Sequence, residues 1–254
     1  MVPSLHSNSE NANVLEEHIP DEWAGKIPKL VRYTQRAFVD AFFERGELML
    51  TTFERCSQSD DLTRVDRREG KVNSFVRTGE GRAIAGIHGV GRNSYMLCTS
   101  LVESEVLMQT FEGSDDYFLI DDPRGFAIEV SRVLPGYQQG LMGPCVYMSE
   151  RSVETDDPGF EPNLAALIQA MTSGDEVAAT AAVEQHQRSL GSSFEKLIGS
   201  KPYFSKVAST HEDESEFRFV WLVDHPTGTT PLLINAPAAT RHCSRRTLSH
   251  SSTR

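Results

Sequence analysis

The sequence predicts a single α+β domain with a mixed or mainly antiparallel sheet, helices between the strands and a helical insert at 161–198. Three observations lead there. Short apolar blocks of strand length recur at 48–53, 95–100, 117–120 and 217–223. Blocks with helical spacing lie between them, around 37–42 and 126–134. Apolar residues make up 39% of the 254 positions, enough for a sizeable core in the stretch that carries these blocks. The expected organisation is an acidic disordered tail at 1–24, one domain at 25–236 and a basic disordered tail at 237–254.

Leu30-Val31-Arg32-Tyr33 reads as a strand. Thr34 is placed to cap the helix that follows, because a hydroxyl oxygen can accept from the free amides of a first turn. Ala37, Phe38, Ala41 and Phe42 give that helix an apolar face, and Gly46 falls where a left-handed C-terminal cap is expected. A strand at 48–53 leads into a polar loop, 57–70. The glycines at 81, 86, 89 and 91 lack the order of a dinucleotide fingerprint and precede a strand, so they read as a flexible loop. A strand at 95–100, a short helix at 106–111 and a strand at 117–120 follow. Asp121-Asp122-Pro123 reads as a turn opening the helix 126–134, and 143–148 as a strand. The insert has two apolar faces, Leu164, Leu167, Ile168 and Met171 on one and Phe194, Leu197 and Ile198 on the other. Tyr203 to Val207 and Phe217 to Val223 read as the last strands.

Lys and Arg number 25 against 36 Asp and Glu, a formal charge of −11. That balance disfavours a broad nucleic-acid surface, which needs clustered cations against phosphates, and disfavours docking on an anionic membrane. Cysteines at 56, 98, 145 and 243 form no Cys-x-x-Cys pair, so neither a zinc ribbon nor a dithiol redox motif is expected. The first 24 residues hold no Lys or Arg and no apolar run, and no stretch approaches the roughly 20 apolar residues that span a bilayer. A cytoplasmic location is expected.

Four constellations could carry chemistry. Arg32, beside Tyr33 at a strand end and next to a helix start, suits an anionic ligand, since its fork matches phosphate; a solvated Arg is the alternative. Asp61, Arg64 and Asp66 lie in a run that also holds Glu69. Its carboxylates could hold a metal ion, or pair with the intervening arginines in a loop that walls a polar cleft. Thr99 and Ser100 end a strand and could orient a carboxylate or a ribose. Glu214, Glu216 and Arg218 share one face of a strand whose other face, Phe217, Phe219 and Trp221, points to the core. Two carboxylates so placed repel and need a cation or a role; a solvated edge neutralised by Arg218 is the alternative. Together these residues predict an acidic cleft gated by arginine.

These segments resemble a bacterial family of domains of unknown function associated with abortive infection and phage defence. The similar parts are Arg32-Tyr33, the helix 34–45, the strand 48–53, the loop 61–70, Leu97 to Ser100, Gly125-Phe126-Ala127-Ile128, and Lys201 followed by Glu214, Glu216 and Arg218. The chain is also similar to ADP-ribosyltransferases with Arg, Ser-Thr-Ser and Glu-x-Glu motifs in that order, here Arg32, Cys98-Thr99-Ser100 and Glu214-Ser215-Glu216. This second resemblance implies NAD as substrate, with no metal. Arg32 would hold its phosphates and the hydroxyls would brace the site. Glu216, assisted by Glu214, would stabilise the oxocarbenium-like transition state as nicotinamide leaves. Two other readings stand beside it. One is a non-catalytic module that senses a small nucleotide or binds a protein partner. The other is a metal-dependent nuclease using Asp61, Asp66, Glu214 and Glu216.

Overall fold

Strand alternation sorts the apolar residues of this chain onto two faces of a branched sheet. The computed structural model describes residues 15–58, 69–77, 83–111, 113–156, 168–170, 172–174, 177–178, 180–182, 199–208 and 212–246. The main path runs β1 (Leu15–Glu17), β8 (Tyr137–Pro144), β12 (Glu216–Val223), β6 (Ser94–Ser100), β2 (Leu30–Thr34), β7 (Asp116–Ile120) and β14 (Cys243–Arg245). A branch leaves β6 through β3 (Glu47–Thr52) to β13 (Leu232–Asn235). β1 is parallel to β8, and the other pairings in this sheet are antiparallel. β10 (Ser152–Asp156), β4 (Lys71–Arg77) and β5 (Ala83–Gly89) form a second sheet, and β11 (Ser205–Val207) pairs in parallel with β9 (Val146–Met148). The α+β architecture is therefore as the alternating blocks predict.

One face of the main sheet builds the core. Leu97, Phe118, Ile120, Phe217, Phe219 and Trp221 pack there with Val39 and Phe42 of α1 (Arg36–Arg45) and Phe126, Ala127 and Val130 of α4 (Pro123–Val133). Trp221 is fully buried, stacks on Phe219 at 5.8 Å, and its indole N–H donates to the Ala127 carbonyl at 3.3 Å. Burying each such side chain contributes about 1.5–3 kcal/mol. The opposite face carries a smaller apolar cluster, Phe53, Met96, Leu141, Phe204 and Val220, beside the polar residues of β12.

The helix boundaries have local causes. Thr34 ends β2 instead of capping α1; the Arg36 amide donates to Asp115 Oδ1 at 2.6 Å, so a residue 79 positions away supplies the cap. Gly46 closes α1 in the left-handed region at φ 73°, and a Cβ there would meet the Pro237 nitrogen at 2.4 Å. Phe53, expected to end a strand, opens α2 (Phe53–Gln58), where Thr52 Oγ1 accepts from the Arg55 amide at 3.1 Å. Ser104 caps α3 (Glu105–Thr110) and Asp122 caps α4, whose first residue is Pro123, three residues earlier than the apolar spacing marks.

Three expectations change. The glycine-bearing segment at 81–91 contains strand β5, registered on β4 from Lys71–Gly89 to Arg77–Ala83. Backbone pairing overrides the low strand propensity of glycine there. The supposed N-terminal tail enters the sheet as β1, and Leu15, Ile19 and Trp23 pack on the core. The supposed C-terminal tail continues through a 3-10 turn, Pro237–His242, into β14 on β7. Two of its arginines pair with the body, Arg241 with Glu129 and Arg245 with Asp40. Edge strands are held by main-chain bonds, which composition does not register. Positions 1–14 and 247–254 lie outside the described residues. In the insert, 168–170, 177–178 and 180–182 are helical, with Ile168 and Val177 exposed, while Leu164, Leu167, Met171, Phe194, Leu197 and Ile198 lie outside the described residues. Among the described residues no helix is long and apolar enough to cross a membrane.

Candidate functional site

A fork in the sheet creates the site. β3 borders one half of β6, pairing Thr51 with Met96 and Thr52 with Tyr95, while β2 borders the other half, pairing Val31 with Ser100. Cys98 lies between these pairings, and its carbonyl accepts from Arg32 Nη1 at 2.7 Å. The gap opens into a cleft of about 410 Å³, within the range of small-molecule sites. Arg32, Tyr33, Thr99, Ser100, Glu214, Glu216 and Arg218 all line it. β2, β6 and β12 are consecutive neighbours in the sheet, so three segments spread over 187 positions meet there. Asp61, Arg64 and Asp66 lie outside the described residues.

β12 brings its polar face to the cleft as a buried charge network. Arg218 Nε donates to Glu216 Oε1 at 2.5 Å, and its two terminal nitrogens hold Glu69 at 2.6 and 3.0 Å. Lys206 Nζ donates to Glu216 Oε2 and to Glu214 Oε2, each at 2.5 Å. Arg218 is 1% and Glu216 4% exposed, so the solvated-edge alternative for this strand does not hold. The Arg218 guanidinium also lies 5.9 Å from the centre of the Phe53 ring. Gly91 lets that ring sit close, since a Cβ at its φ of 92° would meet Phe53 at 2.5 Å.

The backbone bends to bring Glu214 into the same group. Glu212–Glu214 form a 3-10 turn, Ser215 takes the left-handed region at φ 44°, and β12 begins at Glu216. Such a conformation costs a non-glycine residue roughly 1–3 kcal/mol and persists only where its surroundings fix it. Here the Leu101 amide donates to the Ser215 carbonyl at 2.8 Å and Ser100 Oγ to the Glu214 carbonyl at 2.9 Å.

Burial alone would raise the Glu216 carboxyl, but the charges of Arg218 and Lys206 and their hydrogen bonds overcome it and hold the group well below the usual carboxylate range. Burial likewise opposes the charge on Lys206, and Glu216, Glu214 and Glu69 reverse this and raise it far above the ordinary amine range. The signs bracket a stability plateau. Glu216 contributes fully above its unfolded pKa of about 4.3, and that contribution is lost as pH falls toward the folded value. Lys206 contributes fully below about 10.4, and its share is lost as pH rises through the folded value. Urea denaturation is expected to give a flat midpoint from about pH 6 to 7.5, falling on the acid side below about 4.3 and on the basic side above about 8.5, where thiols kept protonated by burial ionise once the chain unfolds. Burial also pushes the Cys98 and Cys145 thiols up, and Cys56 to about 11. Protonated thiols are poor nucleophiles, so Cys56 and Cys98 line the cleft without driving chemistry.

The other sequence-derived residues take more specific places than residue type foretells. Tyr33 lines the cleft with its ring, but its hydroxyl donates to the Val102 carbonyl and accepts from the Ser104 amide, both at 2.7 Å. It pins the 102–104 turn instead of offering a polar group to a ligand. Tyr33→Phe leaves the Ser104 amide without that acceptor, and a loss of about 1–3 kcal/mol is expected in chemical denaturation. Thr99 Oγ1 is committed to the Phe217 carbonyl at 2.9 Å, and Ser100 Oγ also accepts from the Val102 amide at 3.0 Å. These hydroxyls brace β12 and the Glu214 turn.

Sequence reasoning missed Lys206, pointing instead to Lys201, which is exposed five residues earlier. Its available signal was a lysine flanked by Ser205 and Val207 in a short apolar strand. It also missed Gln35, Phe38 and Ser114, which line the cleft near Arg32. Ser114 Oγ is buried with no hydrogen-bond partner among the described residues. Four cations (Arg32, Arg55, Lys206, Arg218) and three carboxylates (Glu69, Glu214, Glu216) line the cleft. The expected acidic cleft is therefore net positive among its described lining residues. No family model, curated protein or solved structure matches the chain.

Proposed function

We propose that the chain consumes NAD in this cleft, cleaving the bond between nicotinamide and ribose as an ADP-ribosyltransferase-like enzyme or NAD glycohydrolase. One observation carries the reading. Arg32, Thr99-Ser100 and Glu214-Ser215-Glu216 follow the order of the Arg, Ser-Thr-Ser and Glu-x-Glu motifs, and Arg32, Thr99, Ser100, Glu214 and Glu216 line one cleft from three adjacent strands and the turn that leads into β12.

Each residue has a physical role in such a step. Arg32, which sits in the middle of β2 and not at the strand end the sequence suggests, holds the dinucleotide phosphates, and the net positive described lining favours that anion. The bond from ribose C1′ to the nicotinamide nitrogen breaks, its electron pair leaves with nicotinamide, and C1′ becomes cationic. Glu216, ionised and preorganised by Arg218 and Lys206, faces that charge at no cost of reorientation. Ser100 acts through Glu214, whose carbonyl it holds, and is a positioning residue. The chain's four cysteines are all free, which suits a reducing compartment, and the proposal places the reaction in the cytoplasm. Removal of a shared nucleotide also suits the resemblance to defence-associated domains.

A second reading is favoured by one specific observation. Both oxygens of Glu216 are already engaged by Arg218 and Lys206, which suits a non-catalytic module that binds a nucleotide. Incubating the purified protein with NAD separates the two. The enzyme releases nicotinamide; the module is stabilised by NAD, as any ligand of the native state is, and releases none.

A further inference from the structure

The three carboxylates among the described lining residues are matched by cations of the chain itself. Glu69 is held by the two terminal nitrogens of Arg218, and Glu216 by Arg218 and Lys206. Glu214 receives the second bond of the Lys206 ammonium. Lys206 reaches them from β11, a strand outside the main sheet, and its side chain is 7% exposed. Its ammonium therefore fills the anionic pocket made by Glu214 and Glu216, which would otherwise attract a cation from solution.

We propose that Lys206 sets the acceptor class of the NAD-consuming reaction: as the resident cation of the Glu214–Glu216 pair, it leaves water, not a cationic side chain, to take the ribosyl group. A guanidinium or ammonium acceptor would have to approach C1′ through a cleft whose described lining is net positive and compete for Glu216 with Arg218, Lys206 and the C1′ cation itself. It would lose its own hydration without gaining a counter-ion. Water meets neither obstacle. Its oxygen forms the bond to C1′ as the nicotinamide bond breaks, and its proton passes to solvent. Lys206 is not itself the acceptor, because an ammonium bonded to two carboxylates has no lone pair to give.

This inference rests on the proposed NAD chemistry, and the test separates the two. Wild-type protein is incubated with NAD and agmatine, a small guanidine, and nicotinamide, free ADP-ribose and the agmatine adduct are measured. The expected result is one ADP-ribose per nicotinamide and no adduct. Nicotinamide release with adduct formation overturns the acceptor assignment and leaves the NAD chemistry standing; no release overturns both. A second measurement reads the pocket without turnover. Lys206→Ala, prepared in ethylammonium chloride where it does not fold alone, is expected to gain several degrees of melting temperature from ethylammonium and none from equal tetramethylammonium. Equal response to both salts overturns the resident-cation role.

Discussion

Arg218→Met is expected to destabilise the protein by about 3–5 kcal/mol, the cost of breaking a buried pair by removing one partner. At 254 residues this corresponds to a fall in melting temperature of roughly 6–20 °C. Arg218 is the hinge of the network, because it is the residue that joins Glu216 on β12 to Glu69 beside β4. Without it Glu69 is left buried with neither of its guanidinium bonds, and Glu216 keeps only Lys206. Met preserves much of the apolar stem volume, so the loss reports charge and hydrogen bonding more than a cavity. The double variant Arg218→Met with Glu69→Gln should recover part of the loss, because the second change removes the carboxylate that the first leaves stranded. Thermal unfolding of the single and double variants checks this; strict additivity would contradict the network.

Glu216→Gln is expected to lower nicotinamide release by roughly 10²–10³-fold, the usual loss when one preorganised charge-stabilising group is removed. Gln keeps the shape and one acceptor oxygen but cannot offer negative charge to a developing cation. On the proposed chemistry NAD affinity should change far less, because Arg32 and the net positive described lining would hold the diphosphate and Glu216 would act on charge that appears in the transition state. A fall in turnover with binding retained is the signature of that differential action. Equal losses in both would assign Glu216 to ligand binding alone.

The legible and illegible parts of this molecule divide by the range of the interaction. Phe217, Phe219 and Trp221 announce their core face by period-two alternation, and the same alternation sends Glu216 and Arg218 to the cleft. Gly46 and Asp122 mark helix ends because their caps act within a few residues. Thr34 misled because the cap of α1 comes from Asp115, across the sheet. β1 and β14 were hidden for a related reason: both are short edge strands held by main-chain bonds, with side chains that read as polar tail. Glu214 and Glu216 were seen as a pair in need of a cation, yet only the pairing of β11 with β9 brings Lys206 to them. The fork between β2 and β3 has no sequence signature, since it depends on two distant strands sharing one edge of β6.

The most direct test of the central claim is nicotinamide release from NAD by purified wild-type protein beside Glu216→Gln, with NAD binding followed by thermal shift in both. The account predicts release by wild type, release lower by about 10²–10³-fold in the variant, and an NAD-dependent stabilisation shared by the two. Stabilisation of both by NAD with no nicotinamide from wild type would contradict it and leave a nucleotide-binding module in its place.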